Sequence, residues 1–484
     1  MARATVLPGA LAALGVDLTR MVADSRRVRA GDVFVALPGM RHDPRLDIPH
    51  AISAGAAAVI WEQDGFQWRE EWRVPNLPVR GLRKVLGELV SHGLSHPSRK
   101  MWVAGVTGTN GKTSCSQWLA HSLTQLGRRT AVIGTLGNGF PGELSPASHT
   151  TPDVVTLHQL LADYLNHGAA SVAMEVSSHG LDQGRVDGVQ FSAALFTNLT
   201  RDHLDYHGSM ERYGAAKAKL FAWPTLKHAV VNLDDEFGAN LAARLDRGAL
   251  EVMSYGIGKG EISGHRLDLS SRGLRLEIET PWGKSEIESQ LLGGFNASNL
   301  LGVLGMLLAA GVSLSDATRA LSAMQPVPGR LQIVREGQGP LVVVDYAHTP
   351  DALEKVLQTL ADIKPDGARL ICVLGCGGNR DPGKRPLMGE IATRLADLTV
   401  VTSDNPRDEE PLKIIESIIG GAHGNYRVQA DRAAAIHCAI EEAQPNDIVL
   451  LAGKGHETYQ EIRGERLPFD DVAVARTFLR RQHA

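Results

Sequence analysis

The chain has 484 residues, a length that predicts about three domains of ordinary size. With 43% apolar and 21% charged residues, its composition excludes a disordered or fibrous protein. The net charge of −4 gives no reason to expect nucleic acid or an anionic membrane as a partner. Four scattered cysteines do not form a disulfide framework, so we expect a cytoplasmic protein.

Residues 1–99 predict a small mixed α/β domain, in which Gly31–Gly39 and Ala54–Ile60 are the clearest strands. From residue 100 to 330, short apolar runs alternate with helical patterns, which predicts a parallel sheet. Its strands are expected at Met101–Gly108, Arg129–Gly134, Ser171–Ser177, Ala193–Leu199 and His228–Leu233. The strand-rich stretch Gly264–Glu288 then precedes a buried helix at Leu300–Val312, which is too short to span a membrane.

A linker is predicted at Pro326–Arg330, because its two prolines cannot continue a helix. Residues 331–484 repeat the alternation and predict a second parallel sheet followed by a terminal helix. Its strands are expected at Leu341–His348, Arg369–Gly378, Asp397–Pro406, Tyr426–Asp431 and Asp447–Gly455. The sequence therefore predicts an α/β protein with two separate parallel-sheet modules.

The first central strand leads into GVTGTNGKTS (Gly105–Ser114) and a predicted helix. The backbone N–H groups of such a loop and the helix N-terminus can surround a phosphate chain. Lys112 would reach the terminal phosphates, and Thr113 would supply a hydroxyl for Mg2+. Val106 stands where the strict pattern has its first glycine, so we interpret the segment as a variant P-loop. The alternative is a glycine-rich turn before a helix.

Charged groups and imidazoles follow two later strands. Glu175 ends an apolar strand, where a carboxylate needs a cation or hydrogen-bond donors, and Mg2+ would be one such cation. The next strand is followed by Asp202, His203, Asp205 and His207. Read alone, this cluster fits either a metal site at the sheet edge or a solvated loop. Lys217 and Lys219 lie on a predicted helix, where surface exposure is the usual explanation.

Three strand ends of the second module carry polar loops. Asp404 and Arg407 lie three residues apart around a proline turn in SDNPRDEEP (Ser403–Pro411). Because Arg forks onto a carboxylate while Asp accepts from an ammonium, the pair suits a zwitterionic ligand; a surface ion pair is the alternative. GCGGNRDPGKR (Gly375–Arg385) and AGKGHE (Ala452–Glu457) end two other strands, which favours a shared binding site.

Taken together, these motifs resemble the Mur ligases, the amide ligases of peptidoglycan synthesis and cell-wall biogenesis. The resemblance runs from DSRRV (Asp24–Val28) to GKGHE and includes GTNGKTS, EVSSHGL (Glu175–Leu181), TNLTRDHLDYHG (Thr197–Gly208), FNASNLL (Phe295–Leu301), DYAHTPD (Asp345–Asp351) and DNPR, in the family's order. It implies a substrate domain of mixed α/β structure (1–99), a central P-loop ATPase domain (100–330) and a C-terminal Rossmann-like domain that binds an amino acid (331–484).

Within the family, the sequence is most similar to members that add meso-diaminopimelate to UDP-N-acetylmuramoyl-L-alanyl-D-glutamate. The resemblance implies that ATP phosphorylates the D-Glu side-chain carboxylate and that the incoming amine attacks the acyl phosphate. This order is chemically reasonable because phosphate is a far better leaving group than a carboxylate oxygen. The implied catalytic residues are Lys112, Lys217 and His203. The implied Mg2+ ligands are Thr113, Glu175, His203 and Lys217, the last as a carbamate formed with CO2.

The same resemblance assigns residues to three small-molecule partners, and we expect a monomer. ATP, the co-substrate, would contact Gly108, Thr109, Asn110, Gly111, Lys112, Thr113, Ser114, Asn296, Asn299, Arg330, Asp345 and His348. The UDP-muramoyl peptide would contact Ser25, Met40, Arg41, His42, His149, Thr150, Thr151, Ser177, Gln183 and Arg185. Diaminopimelate would contact Arg380, Asp404, Asn405, Pro406, Arg407, Gly453 and Glu457.

Other activities fit parts of the sequence. Folylpolyglutamate synthetase has a similar architecture, but the DNPR motif and the long first domain disfavour it. A nucleotide-gated binding protein or simple NTPase would need no muramoyl peptide. A metallohydrolase built on His203 and His207 would leave Lys112 without a role. A lysine-adding ligase is the weaker alternative because lysine lacks the distal carboxylate that Arg407 would bind.

Overall fold

The computed structural model describes residues 7–39, 42–270, 272–336 and 339–481. Over those ranges the strands form three extended sheets and one two-stranded hairpin. The sheets follow one another along the chain, which confirms the prediction of an α/β protein with two separate parallel-sheet modules after a smaller first region. No helix in the described ranges is both long enough and apolar enough to cross a bilayer.

The first sheet is small and entirely parallel. In spatial order its strands are β1 (Met21–Val22), β2 (Val33–Ala36), β3 (Ala58–Glu62) and β4 (Asn76–Val79). The accompanying helices are α1 (Leu7–Ala12), α2 (Ile48–Ser53) and α3 (Leu86–Gly93). Every residue of β2 is buried, as expected for a parallel strand covered on both faces.

The central sheet has eleven strands. In chain order they are β5 (Trp102–Thr107), β6 (Thr130–Gly134), β7 (Gly137–Phe140), β8 (Glu143–Ser145), β9 (Ser171–Glu175), β10 (Ala193–Phe196), β11 (His228–Asn232), β12 (Glu251–Ile257), β13 (Ile262–Ser270), β14 (Gly273–Thr280) and β15 (Gly283–Ser289). In space they follow the order β15-β14-β13-β12-β11-β10-β5-β9-β6-β7-β8. β5 therefore lies between β10 and β9, which brings the loops after these three strands together.

Helices cover both faces of this sheet. They are α4 (Lys112–Gln125), α5 (Val154–Asn166), α6 (Ser178–Asp182), α7 (Leu204–His207), α8 (Met210–Ala218), α9 (Glu236–Arg244), α10 (Gly294–Ala309) and α11 (Leu314–Ser322). α4 and α10 contribute to the apolar core on one face, and α5 contributes to the core on the other. The buried helix predicted at Leu300–Val312 is α10, which begins and ends earlier than expected.

The third sheet has six strands in the order β16-β17-β21-β18-β19-β20. They are β16 (Gln332–Val334), β17 (Leu341–Asp345), β18 (Leu370–Leu374), β19 (Leu398–Val401), β20 (Tyr426–Val428) and β21 (Ile448–Ala452), and only the pairing of β16 with β17 is antiparallel among those described. The helices are α12 (Pro350–Ile363), α13 (Lys384–Leu395), α14 (Pro411–Ile419), α15 (Arg432–Glu442) and α16 (Asp471–Arg481). The separate hairpin pairs β22 (Tyr459–Ile462) with β23 (Glu465–Pro468).

Candidate active site

The loop between β5 and α4 is held by the segment that follows β10. The Thr109 amide donates to the Asn198 carbonyl (2.8 Å), and the Asn110 amide donates to Asn198 Oδ1 (2.9 Å). Gly108 has a φ of +149°, and a Cβ atom there would lie 1.9 Å from Thr197 Oγ1. The loop therefore requires glycine at this position, and its hydrogen bonds to Asn198 help to fix its shape.

Lys112, the first residue of α4, folds back over this loop. Its Nζ donates to the carbonyl oxygens of Gly108 (2.9 Å) and Thr109 (2.7 Å). Burial lowers the pKa of Lys112, while the charges of Glu175 and Asp202 oppose that shift. Because its hydrogen-bond acceptors are neutral carbonyls, the ammonium charge stays available to an anion at the loop.

Glu175, at the end of β9, is 1% exposed. It accepts hydrogen bonds from Thr113 Oγ1 (3.0 Å), the Thr135 amide (2.8 Å) and Thr135 Oγ1 (3.1 Å). All three donors are neutral groups, so none of these contacts pairs Glu175 with a positive charge. A hydroxyl and a carboxylate in contact are also oxygen ligands of the kind that Mg2+ takes. Thr135 was not predicted as a site residue, because nothing around it in the sequence distinguishes it.

Lys217 on α8 is 1% exposed, so its interpretation as a surface lysine is wrong. Its Nζ donates to the Gly108 carbonyl (2.8 Å) and lies 4.4 Å from the centre of the Tyr213 ring. Burial and the nearby charge of Lys112 lower the pKa of Lys217 well below its ordinary value. The exposed Lys219, by contrast, pairs with Asp182 (2.8 Å).

Among the described residues, the side chains of the imidazole cluster after β10 do not form a group of three or more metal ligands, as a metallohydrolase would need. His207 Nε2 is hydrogen-bonded to Ser178 Oγ (3.0 Å), and the ring of His179 lies 4.8 Å from the ring of His203 and 5.4 Å from that of His207. His203 Nε2 instead lies 3.3 Å from Asp202 Oδ2. Burial lowers the pKa of His203, which favours a neutral ring with a free lone pair.

One cavity of about 300 Å³ brings residues of the central and third sheets together. From the central sheet it is lined by Thr109, Asn110, Gly111, Lys112, Thr113, Thr150, Glu175, Ser177, Asp202, His203 and Lys217. From the third sheet it is lined by His348, Arg380, Lys384, Asp404, Asn405, Arg407, Gly453 and Glu457. Arg330 in the linker closes it from one side, donating from Nη2 to Thr113 Oγ1 (3.3 Å).

Asp202 and Lys384 are the main cavity residues that the sequence predictions did not assign. Although burial opposes it, nearby basic groups, Lys384 among them, and the hydrogen bond from the His203 amide lower the pKa of Asp202. Lys384 is 8% exposed and begins α13, directly after the glycine-rich loop that follows β18. The sequence did contain a signal for Lys384, because this lysine lies in GCGGNRDPGKR, a motif already identified as a strand-end loop.

A second cavity, of about 420 Å³, lies behind the loop. The predicted ATP residues among those lining it are Asn110, Gly111, Ser114, Asn296, Asn299, Arg330 and Asp345. Asp345 accepts from the Leu331 amide (2.7 Å), and burial raises its pKa to about 6. His348 lines the first cavity instead, on the side that faces Asp202.

The strand-end loops of the third sheet hold their charged groups in pairs. Lys454 is fully buried and donates from Nζ to Asn405 Oδ1 (3.0 Å) and Glu457 Oε2 (3.1 Å). Asn405 Nδ2 donates to the same Glu457 oxygen (2.7 Å). Asp404 Oδ1 lies 3.7 Å from Lys454 Nζ, so Asp404 pairs with this lysine. The surface ion pair between Asp404 and Arg407, which the sequence left open as an alternative, is not formed. Burial and Asp404 raise the pKa of Glu457.

A third cavity, of about 940 Å³, lies where the first sheet meets α5. Three predicted UDP-muramoyl-peptide residues, His149, Gln183 and Arg185, line it, whereas Thr150 and Ser177 line the first cavity. Thr151 is buried and donates to the Glu175 carbonyl (2.9 Å). Among the described residues, Ser25, His42 and Pro406 do not line these three cavities: Ser25 and Pro406 are buried, and His42 pairs with Asp47 (2.6 Å). Met40 and Arg41 lie outside the described residues.

Three Mur ligase family models match the chain, and together they cover most of it. The Mur ligase family catalytic domain matches residues 17–93, the Mur ligase middle domain matches residues 106–307, and the Mur ligase glutamate ligase domain matches residues 329–455.

Among similar proteins, the UDP-N-acetylmuramoyl-L-alanyl-D-glutamate–2,6-diaminopimelate ligase of Chromobacterium violaceum is 54% identical over 97% of this chain and 95% of its own. The ligase of the same name from Nitrosomonas europaea is 50% identical over 96% and 94%. A solved structure of a ligase with this name is 38% identical, with a TM-score of 0.69 over 96% of this chain and 95% of that one. A folylpolyglutamate synthase from Mycobacterium tuberculosis shares the fold at 20% identity, with a TM-score of 0.61 over 75% of this chain and 90% of its own.

Proposed function

The chain belongs to the Mur ligase family, and we propose that it joins meso-diaminopimelate to the D-Glu side-chain carboxylate of UDP-N-acetylmuramoyl-L-alanyl-D-glutamate, converting ATP to ADP and phosphate. One observation supports this most strongly. The phosphate-binding loop and the loops suited to a zwitterion line the same 300 Å³ cavity, so an activated carboxylate and an amine could meet there.

In the first step, the loop amides and Lys112 would bind the terminal phosphates of ATP. The carbonyls that Lys112 now contacts are weak partners, and a phosphate oxygen would replace them as the stronger acceptor. Stabilising the transferred phosphoryl group at Lys112 would let the D-Glu carboxylate oxygen attack the γ-phosphorus. An acyl phosphate and ADP result.

In the second step, the free amine of diaminopimelate would attack the acyl carbon, and phosphate would leave from the tetrahedral intermediate. Lys384 and Arg380 reach the cavity from the third sheet, on the side from which the amine would come. Closure of the cavity by Arg330 would limit the access of water, which would otherwise hydrolyse the acyl phosphate.

The Thr113 hydroxyl and the Glu175 carboxylate supply oxygen ligands of the kind that Mg2+ takes and would hold one Mg2+, and by the family resemblance His203 would hold a second. Bound there, Mg2+ would neutralise charge on the phosphate oxygens.

We also propose that Lys217 carries a carbamate. Only a neutral amine adds to CO2, and the buried environment of Lys217 lowers its pKa in that direction. The modification would change an ammonium into a carboxylate-like metal ligand. With 13C-labelled bicarbonate, we expect a carbamate carbon signal in the NMR spectrum of the wild-type protein and none in Lys217→Ala. A wild-type spectrum without that signal would remove the carbamate from the account.

Amino-acid selection would fall to Asp404, Asn405, Arg407, Gly453 and Glu457. Diaminopimelate ends in an ammonium and a carboxylate on one carbon, so it offers an anion to Arg407 and a cation to Asp404 or Glu457. Lysine would leave Arg407 without its carboxylate partner.

The experiment that tests this function measures phosphate release while each co-substrate is omitted in turn. A ligase needs the muramoyl dipeptide and the amino acid together, so we expect release to be near background when either is missing. Full release with ATP alone would identify a simple NTPase instead.

The domain boundaries after residues 99 and 330, a monomeric state and a cytoplasmic location belong to the same proposal. Light scattering on the purified chain would test the monomer, for which a mass of 52.0 kDa is expected.

A further inference from the structure

The hairpin formed by β22 and β23 packs against the turn that carries Arg407. Four hydrogen bonds that involve main-chain atoms join the two segments. They run from Gln460 Nε2 to the Asp404 carbonyl (2.6 Å), from the Glu461 amide to Asn405 Oδ1 (3.0 Å), from the Arg407 amide to the Glu461 carbonyl (3.0 Å) and from the Arg463 amide to the Arg407 carbonyl (2.8 Å). The hairpin therefore braces the whole amino-acid turn.

The backbone of Arg407 needs such a brace. Its φ is +52°, in the left-handed region that residues with a side chain rarely adopt. A parallel bridge between Arg407 and Ile462 holds it there. This conformation aims the side chain back across the loop that follows β18.

The guanidinium of Arg407 is held on two of its edges. Nε donates to Glu461 Oε2 (3.2 Å), and Nη1 donates to the Gly378 carbonyl (2.7 Å). Gly378 lets its loop pass close to the turn that carries Arg407, because a Cβ atom there would lie 2.0 Å from the Pro406 carbonyl oxygen. A guanidinium has five N–H donors, so three remain beyond these two bonds. Arg407 also lines the 300 Å³ cavity, which gives those donors a ligand to face.

We propose that Glu461 is a positioning residue for amino-acid selection. By accepting the Nε–H of Arg407, it sets the plane of the guanidinium so that the free edge meets the distal carboxylate of the incoming diamino acid. This inference rests on the proposed function. The selectivity of Arg407 would then depend on the β22–β23 hairpin, which lies outside the motifs that carry the family resemblance.

The opposite effect is also physically reasonable. Glu461 is an anion beside Arg407, and it could compete with the substrate carboxylate for the same cation. Competition predicts that removing Glu461 strengthens binding, whereas positioning predicts that removal weakens it. Replacement of Glu461 by glutamine also distinguishes positioning from competition, because the amide keeps an acceptor for the Arg407 Nε–H but loses the negative charge.

The test measures KM for meso-diaminopimelate, KM for ATP, kcat and thermal stability in Glu461→Ala and Glu461→Gln. Glu465→Ala is the matched control, since Glu465 is an exposed carboxylate on the other strand of the same hairpin. We expect Glu461→Ala to raise KM for diaminopimelate about tenfold while KM for ATP and kcat change less than about twofold, as for a lost charge-assisted hydrogen bond. Glu461→Gln should recover most of the loss, and Glu465→Ala should match wild type.

Three results would overturn the proposal: an unchanged or lower KM for diaminopimelate in Glu461→Ala, a glutamine variant as impaired as the alanine variant, or parallel losses in KM for ATP and thermal stability. Tripeptide formation by the wild-type protein is measured in the same series. If the wild type forms no product, the proposed function fails; if it does and Glu461→Ala behaves like wild type, only the positioning role fails.

Discussion

The central and third sheets each place a charged site at the carboxyl ends of parallel strands. The charged side chains of the two sites have different kinds of partner. At the central site, Lys112 and Lys217 contact neutral carbonyls, and Glu175 accepts from neutral donors. At the third-sheet site, Lys454 contacts Glu457, Arg407 contacts Glu461 and Arg385 contacts Glu409.

This difference separates two tasks. Groups whose charges are not yet matched are suited to phosphates, a metal ion and a developing transition state, because they gain most when those arrive. Side chains that already form ion pairs are held in one orientation. They are therefore suited to distinguishing one amino acid from another. Arg432 and Asp471 form a fully buried ion pair that lies beneath the third-sheet site and follows the same rule of paired charges. Arg432 Nη2 also donates to the Ala452 carbonyl (3.0 Å) at the end of β21.

The largest effect should come from the central site. Lys112→Ala removes the cation of the phosphate loop, so we expect kcat to fall by at least about 10²-fold. Lys100→Ala, which removes an exposed lysine elsewhere in the same region, is the control. Steady-state phosphate release measures both. Full activity in Lys112→Ala would contradict the variant P-loop and revive the metallohydrolase alternative.

A smaller and more selective effect is expected at the third-sheet site. Arg407→Ala should raise KM for diaminopimelate about 10- to 100-fold, the range for a lost hydrogen bond to a charged group, with KM for ATP within about twofold of wild type. Arg407→Lys should recover little, because an ammonium lacks the planar fork. If KM for diaminopimelate stayed at the wild-type value, the two sites would not divide the tasks as described.

The smallest effect should follow from loosening a support of that site. Arg385 donates to both carboxylate oxygens of Glu409 (2.9 and 2.8 Å), and the pair links the first turn of α13 to the turn after β19. Glu409→Ala should raise KM for diaminopimelate about fivefold, because the Glu409 carboxylate is partly exposed and an ion pair screened by solvent is worth about 1 kcal/mol. Glu416→Ala, on the exposed face of α14, is the control. An equal rise in KM for ATP would show that the link is not local to the amino-acid site.

The predicted residues of the central site lie together in the structure because they are carried by contiguous motifs. GTNGKTS determines the phosphate-binding loop. The strands that end at Thr107, Glu175 and Phe196 are apolar runs, and their order in the parallel sheet brings the loops that follow them together. The burial of Lys217 could not be predicted, since the small residues around it on α8 are equally typical of a surface helix.

The supports of the third-sheet site were missed for a physical reason. Tyr459–Pro468 is half-buried or exposed throughout, without the apolar alternation that marks a strand, and its conformation depends on hydrogen bonds to residues 404–407. β12 was missed although most of it is buried: Glu251–Ile257 follows a short helix and joins the parallel strands to the antiparallel β13–β15 extension, an arrangement that local patterns do not indicate.

The central claim is that the two sites act together as one ligase selective for a diamino dicarboxylic acid. It is tested most directly by mass spectrometry of the products formed from ATP, Mg2+, UDP-N-acetylmuramoyl-L-alanyl-D-glutamate and either meso-diaminopimelate or L-lysine. We expect the tripeptide product only with meso-diaminopimelate. Product with lysine alone would keep the ligase but contradict the role of the third-sheet site, and ATP hydrolysis without any peptide product would contradict the ligase itself.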